Sequence, residues 1–183
     1  DDFDLTLARE IEKKGVEVLW KHEVCNVDLS ASTPAATILT EKQGELSIST
    51  KFILDCSGYG RVLPRLLDLE LPSSLPQRQS IFTHITDDIR PAGDDEGKIW
   101  ICILPENSWL WIIPFSNGKT SVGLVARPEF VNGLKGESLD EKLRSAFTLE
   151  ENAKNRLTNA KFTFPVKSIQ GYSVSVKQFT GKG

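Results

Sequence analysis

A short turn rich in small residues carries the first candidate chemistry, since residues 55–61 read D-C-S-G-Y-G-R. The turn follows a continuous apolar run at 52–54, typical of a strand covered on both faces, and it precedes a predicted helix. Ligands of open α/β sheets bind at such an edge. Gly58 and Gly60 would let the backbone come close to a ligand, and the backbone N–H groups at the helix start would suit a phosphate. Because Leu63 replaces the third glycine of G-x-G-x-x-G, a plain strand-to-helix turn stays as the alternative.

Two tryptophans one residue apart form the second candidate, in the segment W-L-W-I-I-P at 109–114. Side chains alternate along a strand, so the indoles of Trp109 and Trp111 should project from one face. Paired flat rings can enclose space and stack on a planar ligand, and Pro114 is typical of a strand end. The alternative is an aromatic cluster inside the core, where most strand tryptophans lie.

The remaining reactive residues give weaker signals. Cys56 could act as a nucleophile with His22 or His84, but no spacing pairs them, so a buried inert thiol is the stronger interpretation. The carboxylates Asp87-Asp88 and Asp94-Asp95-Glu96 are predicted to lie in solvated loops, which leaves acid–base work unsupported. With two histidines and no C-x-x-C, we expect no metal site.

The composition is that of an ordinary globular protein of 183 residues, with 39% hydrophobic and 26% charged residues and a net charge of −3. These values exclude a disordered chain, a collagen-like chain and a basic nucleic-acid-binding protein, and no apolar run approaches the roughly 18 residues of a membrane span. The acidic start and the three unpaired cysteines predict a cytoplasmic location. The chain has no Met, even at position 1, which indicates a segment of a longer protein.

The hydrophobic pattern predicts helices and strands in the first part of the chain. Residues 3–14 read as a helix that ends at Gly15, because Phe3, Leu7 and Ile11 recur at helical spacing. We expect strands at 16–29, 36–41 and 45–56, followed by a helix at 61–69.

The second part has a different pattern, which predicts a mostly antiparallel sheet with helices. Asn117-Gly118 is a strong hairpin signal, and Ser138 with Glu141 forms a capping box at a helix start. We expect strands at 79–86, 98–104, 108–115, 120–126, 162–168 and 172–179, and a second short helix at 150–157. The predicted fold class is therefore α/β (α+β), with a change of composition near residue 76.

Three stretches, in order, resemble FAD-dependent oxidoreductases of the para-hydroxybenzoate-hydroxylase-like fold, and most closely the flavin-dependent, tryptophan-type halogenases. They are the helix and strand running from Phe3-Asp4 to Gly15-Val16, the D-x-S-G turn with Arg61, and W-x-W-x-I-P followed by S-V-G at 121–123. The D-x-S-G turn is general to the superfamily, and W-x-W-x-I-P is more specific. Reductases of isoprenoid chains carry a similar motif with Tyr first and Phe before the Pro.

The resemblance implies where a cofactor and a substrate would lie. Residues 1–76 would be part of an FAD-binding, Rossmann-like domain, 77–168 an antiparallel-sheet substrate domain, and 169–183 a return toward the first. The family's Gly-rich fingerprint and essential lysine would precede Asp1, so no catalytic residue is assigned. The expected FAD-binding residues are Val24, Asp55, Ser57, Gly58 and Arg61, and the expected substrate-pocket residues are Trp109, Trp111, Ile113 and Pro114.

The resemblance also implies a reaction. Reduced FAD and oxygen would give a flavin hydroperoxide, halide would attack it, and the resulting hypohalous acid would reach an electron-rich small molecule while Trp109 and Trp111 separate flavin from substrate. A separate flavin reductase is an expected partner, and nucleic acid is not. A flavin monooxygenase, an isoprenoid-type (geranylgeranyl) reductase and a non-catalytic binding domain stay open as alternatives.

Overall fold

The computed structural model describes residues 2–30, 32–86 and 88–181, which form two compact units. The first unit contains residues 2–71 and 176–181, and the second contains residues 72–175. Each unit has its own sheet, and each is described by itself below. The division into an FAD-binding part and a substrate part stays a prediction.

The first unit begins with helix α1 (Asp2–Lys13), which ends where Gly15 takes a positive φ of 87°. Strands β1 (His22–Asp28), β2 (Ala35–Thr40) and β3 (Gly44–Ser49) follow as an antiparallel sheet in the order β1-β2-β3. A 3-10 turn (Gly58–Gly60), helix α2 (Val62–Leu66) and strand β4 (Glu70–Pro72) complete its ordered elements. The predicted strand at 16–29 is thus shorter at its start than expected.

The second unit is built on a six-stranded antiparallel sheet. Its strands are β5 (Gln79–Thr86), β6 (Trp100–Leu104), β7 (Ser108–Pro114), β8 (Thr120–Ala126), β9 (Lys161–Phe162) and β10 (Lys167–Gln170). The order is β10-β5-β8-β7-β6, and β9 also pairs with β5. The hairpin predicted at Asn117-Gly118 joins β7 to β8, where Gly118 has a φ of 81°. Strand β11 (Val174–Val176) follows β10 along the chain.

Three helices of the second unit cover one face of its sheet: α3 (Pro128–Gly133), α4 (Leu139–Phe147) and α5 (Glu151–Arg156). The predicted capping box starts α4, because Ser138 Oγ accepts from Glu141 N and Glu141 Oε2 accepts from Ser138 N. The core lies between the helices and the sheet, and its fully buried side chains include Ile81, Ile85, Leu110, Ile112, Val122, Leu124 and Leu143. Alternate residues of the same strands therefore face away from the helices.

The predicted strand at 45–56 is wrong beyond Ser49. Residues 52–54 have no regular structure, and Phe52 and Leu54 expose 71% and 78% of their surface. A strand exists only where a neighbouring backbone pairs with it, and the partner strand β2 begins at Ala35, opposite Ser49, so it offers no pairing beyond Ser49. The pairings β1–β2 and β2–β3 are both antiparallel, so the three-stranded sheet of the first unit is not the parallel sheet typical of open α/β folds.

A buried ion-pair network contradicts the expectation that Asp88 lies in a solvated loop; Asp87 falls outside the described residues. The Asp88 side chain is only 2% exposed and pairs with Arg156 at 3.1 Å and with Arg90 at 3.2 Å. Thr120 Oγ1 also donates to Asp88 Oδ1 at 2.9 Å. Burial by itself raises the pKa of Asp88, but the hydrogen bonds from Thr120 and the two arginines outweigh it, so the pKa lies below the ordinary value. The carboxylate therefore stays ionised inside the unit.

We expect Asp88→Asn to destabilise the second unit by about 3–5 kcal/mol, because Arg156 would keep its buried charge without a counter-charge. Urea denaturation of the chain at pH 7 measures the effect, and Asp94→Asn, at an exposed carboxylate, is the matched control. Since the folded-state pKa of Asp88 is lowered, its stabilisation should be present at neutral pH and fade as the pH falls below about 4. Equal unfolding curves for Asp88→Asn and the control would contradict the role of the network.

Candidate functional site

The turn at 55–61 is held by its own side chains. Asp55 Oδ1 accepts from the Ser57 backbone N–H at 2.9 Å, and Asp55 Oδ2 accepts from the Leu63 N–H at 3.0 Å. Ser57 Oγ accepts from the Val62 N–H at 2.9 Å, which satisfies a donor at the start of α2. The side-chain hydrogen bond from Ser57, helped by the backbone N–H groups of Ser57 and Leu63, outweighs the effect of burial and lowers the pKa of Asp55. The motif therefore presents an ionised carboxylate in a fixed orientation.

Two residues of this turn have positive φ angles, Gly58 at 54° and Arg61 at 50°. A Cβ at Gly58 would meet nothing within 4 Å, so the backbone there is open to a ligand. Arg61 lies over the Tyr59 ring at 5.7 Å and its Nε is 3.3 Å from Glu70 Oε1. The guanidinium thus already pairs with a carboxylate within the unit, which makes Arg61 a support of the turn.

A cavity of about 590 Å³ adjoins Asp55 in the first unit. Its walls are mostly apolar, and its polar lining comes from Asp55, Lys51, Gln178 and Thr180. A carboxylate has about four acceptor positions, of which two backbone N–H groups and the Ser57 side chain use three at Asp55, so one stays open to a hydroxyl group of a ligand. An apolar cavity beside a carboxylate and an open glycine fits part of the expected FAD, whose chain carries hydroxyl groups.

Val24 lies in β1, the edge strand of the first sheet. The β1–β2 pairing shifts register between Val24 and Asn26, which is a β-bulge, and the Val24 side chain is half-buried. Bulges often re-aim the backbone beside a ligand site. The predicted approach of Val24 to an adenine stays a prediction.

The tryptophan pair lies on the sheet face that the helices leave uncovered, which we call the outer face. Trp109 and Trp111 are both half-buried, while the intervening Leu110 is fully buried on the helix side. Trp109 lies opposite Val125, and the Arg78 guanidinium stacks over its ring at 5.6 Å. The two indoles therefore project from one face, as predicted, and they do not belong to the core under the helices.

Ser121 and Gly123 form a seat for the Trp111 indole. Trp111 Nε1 donates to Ser121 Oγ at 3.1 Å. Gly123 lies directly opposite Trp111, and a Cβ there would come within 2.3 Å of the indole and 2.7 Å of Phe82 Cβ. Val122, between them, points into the core. The W-x-W and S-V-G motifs are thus two halves of one arrangement that fixes the position of a single ring.

The other two predicted pocket residues end the same strand. Ile113 is half-buried on the outer face, opposite Ser121. Pro114 is the last residue of β7, opposite Thr120, and Phe115 N–H donates to Lys119 O just beyond it, where the hairpin closes. Pro114 therefore occupies a strand end, where a missing N–H costs little.

The motif analysis missed Phe82, a neighbour of Trp111, and the aromatic cluster of His84, Phe115 and Phe164. The Phe82 ring centroid lies 6.1 Å from that of Trp111, and His84 lies between Phe115 at 5.2 Å and Phe164 at 5.1 Å. Burial, with a smaller effect of the Lys119 charge, lowers the pKa of His84. The alternation of Q-S-I-F-T-H-I-T at 79–86 carries the signal, because it places Phe82 and His84 on one face of β5.

The three cysteines differ in exposure, and the exposure of Cys56 contradicts its prediction. Cys56 is exposed, so the expected buried thiol is wrong, because the strand that would have covered it does not form. Cys102 is buried, and burial followed by the neighbouring Glu150 raises its pKa to about 11. Cys25 is half-buried, and all three thiols are free. Among the described residues there is no cluster of metal-ligating side chains and no helix that could cross a membrane.

We expect Gly123→Ala to displace the Trp111 indole and to destabilise the chain by about 1–3 kcal/mol, because the added methyl group overlaps the ring. Trp fluorescence and thermal denaturation measure the two effects. Gly97→Ala is the matched control, since a Cβ at Gly97 meets nothing within 4 Å and its φ is not positive. Unchanged emission and unchanged stability in the Gly123→Ala protein would contradict the seat.

No protein-family model matches the chain, whereas individual proteins do. The 1H-pyrrole-2-carbonyl-[peptidyl-carrier protein] chlorinase of Pseudomonas fluorescens is 27% identical over 187 residues, which is 98% of this chain and 41% of that protein. The tryptophan 2-halogenase of Chondromyces crocatus is 27% identical over 70% of this chain and 25% of its own length. The chain therefore spans about two fifths or less of the length of these relatives.

Solved structures agree with this likeness. A flavoprotein/dehydrogenase from Cytophaga hutchinsonii is 35% identical with a TM-score of 0.88, over 100% of this chain and 44% of that one. The myxobacterial chondrochloren halogenase has a TM-score of 0.85 at 24% identity, over 100% of this chain and 43% of that one, which shows the same fold. The mixed α/β fold with mostly antiparallel sheets is therefore confirmed. Besides this flavoprotein/dehydrogenase, the sequence and structural neighbours include flavin-dependent halogenases, as the motifs of the chain predicted.

Proposed function

We propose that the chain is part of an FAD-dependent halogenase that acts on an electron-rich small molecule. The observation that carries this proposal is the outer face of the second unit, where Ser121 and Gly123 fix the Trp111 indole beside Trp109. The hydrogen bond to the indole N–H and the glycine beneath the ring hold Trp111 in one position on a face that the helices do not cover. The curated relatives that match the chain are named as halogenases, which supports the same conclusion.

The first unit would contribute to holding FAD. The open lone pair of Asp55 would accept from a hydroxyl group of the cofactor, Ser57 would keep the turn in shape, and Gly58 would let the cofactor approach the backbone. Arg61 would act indirectly, through its pairing with Glu70. When bound and reduced, FAD supplies the activation of oxygen by which a halide is oxidised to hypohalous acid.

The second unit would receive the electrophile and the substrate. Trp109 and Trp111 would exclude water from the outer face and would keep the substrate ring apart from the flavin, which favours halogenation over direct hydroxylation. The half-buried aromatic surface that continues to Phe82 offers a flat platform for a planar ring. We also propose that residues 1–76 belong to the FAD-binding domain and residues 77–168 to the substrate domain. Residues 169–183 would lead back to the FAD-binding domain.

Two further expectations belong to the proposal. A separate flavin reductase would supply the reduced cofactor, and the protein would work in the cytoplasm, where its free thiols stay reduced. A flavin monooxygenase or an isoprenoid-type reductase is less favoured, because the curated relatives are named as halogenases. A non-catalytic domain with core tryptophans is less favoured because both indoles are half-buried on an uncovered face.

The test uses the full-length protein that contains this chain, supplied with FAD, a flavin reductase, NADH, oxygen and bromide. Mass spectrometry of a panel of phenol, pyrrole and indole substrates should show a brominated product that disappears without bromide. Oxygenated product formed without any halide would instead support the monooxygenase. A panel with no product at all would contradict the proposal.

We expect the 183-residue chain alone not to bind FAD stably, because its sequence contains no G-x-G-x-x-G to contact the phosphates. Gel filtration with excess FAD, followed by absorbance at 450 nm, measures the retained cofactor. The full-length protein is the control and should elute yellow. A yellow 183-residue chain would show that the Asp55 turn and its cavity are sufficient, contrary to this expectation.

A further inference from the structure

His84 lies on the outer face close to the seat of Trp111. It pairs across the sheet with Ser121, the residue whose hydroxyl oxygen accepts from the Trp111 indole N–H. Directly opposite residues of antiparallel strands have Cβ atoms about 4.5–5.5 Å apart. Ser121 therefore stands between the imidazole and the indole, and all three side chains face away from the helices.

Two phenyl rings hold the imidazole of His84 in place. Phe115 meets it edge-on, at 5.2 Å between centroids and 84° between planes, and Phe164 packs at 5.1 Å and 58°. The ring nitrogens of His84 have no hydrogen-bonding partner within residues 2–30, 32–86 and 88–181. A half-buried imidazole held only by apolar rings keeps its acceptor nitrogen for a ligand.

The charged groups around His84 favour its neutral form. Lys119 lies on the turn before β8, Arg90 bonds the Phe115 and Lys119 carbonyls, and Lys161 and Lys167 lie on the neighbouring strands β9 and β10. All four are cations. Together with burial, Lys119 lowers the pKa of His84, so the imidazole is neutral at pH 7 and able to accept a proton.

The outer face offers few other proton acceptors. Strands β5, β6, β7, β8 and β10 contain no Asp or Glu, as their sequences Q-S-I-F-T-H-I-T, W-I-C-I-L, S-W-L-W-I-I-P, T-S-V-G-L-V-A and K-S-I-Q show. Asp88, just after β5, is buried against Arg156. The histidine is therefore the titratable base that these strands place on the tryptophan face.

We infer that His84 contacts the substrate beside Trp111 and accepts the proton that the substrate carbon releases when it is halogenated. This assignment rests on the proposed function and makes His84 a catalytic residue of that reaction. A neutral imidazole suits the role, because its conjugate acid is a weak acid near neutral pH and can return the proton to water.

The step balances with hypohalous acid as the oxidant. The bond between oxygen and halogen breaks heterolytically, a new bond forms between the halogen and the ring carbon, and hydroxide leaves. The C–H bond at that carbon then breaks, its electron pair restores the aromatic ring, and the proton goes to the free nitrogen of His84. Transfer of this proton to hydroxide gives water and regenerates the neutral imidazole.

Contact with a ligand can be tested on the 183-residue chain, because its only other histidine is His22 in the first unit. Phenol is the probe, and the imidazole C–H resonances report on both histidines by NMR. We expect phenol to shift the His84 resonance and to quench Trp emission while His22 stays unchanged, and His84→Phe to weaken the quenching. Equal shifts at both histidines, or none at His84, would overturn the inference.

The catalytic role is tested in the full-length protein with His84→Gln and His84→Phe, and with His22→Gln as the matched control. We expect both His84 variants to lower kcat by about 10²–10⁴-fold and to lose the acidic limb of the pH–rate profile, with a smaller change in KM for Gln. Hypohalous acid captured by a small diffusible trap should stay at the wild-type level, which a general loss of structure would not allow.

The outcomes separate the two proposals. A wild-type protein that halogenates nothing contradicts the proposed function. A wild-type protein that halogenates, together with a His84→Gln protein of equal kcat and equal pH profile, contradicts only the role of His84. Loss of the trapped hypohalous acid in the His84 variants would also overturn it, because the defect would then precede the proton transfer.

Discussion

The strict alternation of side chains along antiparallel strands governs the second unit. Each strand of its sheet gives one set of residues to the core under the helices and the other set to the outer face. In β7 this rule sends Leu110 and Ile112 inward and leaves Trp109 and Trp111 outside. A shift of register by one residue would bury both indoles and expose the core, so the function of the outer face depends on the stability of the inner one.

The first four residues of β8 show how this constraint connects the site to the core. Thr120 belongs to the buried network around Asp88, while Ser121 bonds the indole on the opposite face. Val122 then returns to the core and Gly123 makes room for the ring. Any movement of β8 would therefore change both the packing of the core and the aromatic surface of the outer face. The hydrogen bond from Thr120 to Asp88 thus connects the buried ion-pair network to the strand that carries Ser121 and Gly123.

Much of the fold could be predicted from short-range patterns. The strand alternation at 79–86, 108–115 and 120–126, the hairpin at Asn117-Gly118 and the capping box at Ser138 are local signals, and the structure contains all of them. The predicted strand through 52–54 failed because apolar character reports burial, whereas a strand also needs a partner for its backbone. The burial of Asp88 could not be predicted either, since its partner Arg156 lies 68 residues away.

The candidate site was predicted in part for the same reason. The two tryptophans and the D-x-S-G turn stand out as motifs, and the structure gives each a definite geometry. His84 did not stand out, because a single histidine in an alternating strand resembles an ordinary half-buried residue. Its significance comes from Phe115 and Phe164, which the chain brings to it from 31 and 80 residues away.

The exposure of Cys56 has a practical consequence. This thiol lies one residue from the carboxylate of Asp55, while Cys102 is buried with a pKa of about 11 and Cys25 donates its thiol to a backbone carbonyl. Reagents that attack thiolates therefore meet their most accessible target at Cys56. A fluorophore or spin label attached there would report directly on occupancy of the neighbouring cavity, without any engineered cysteine.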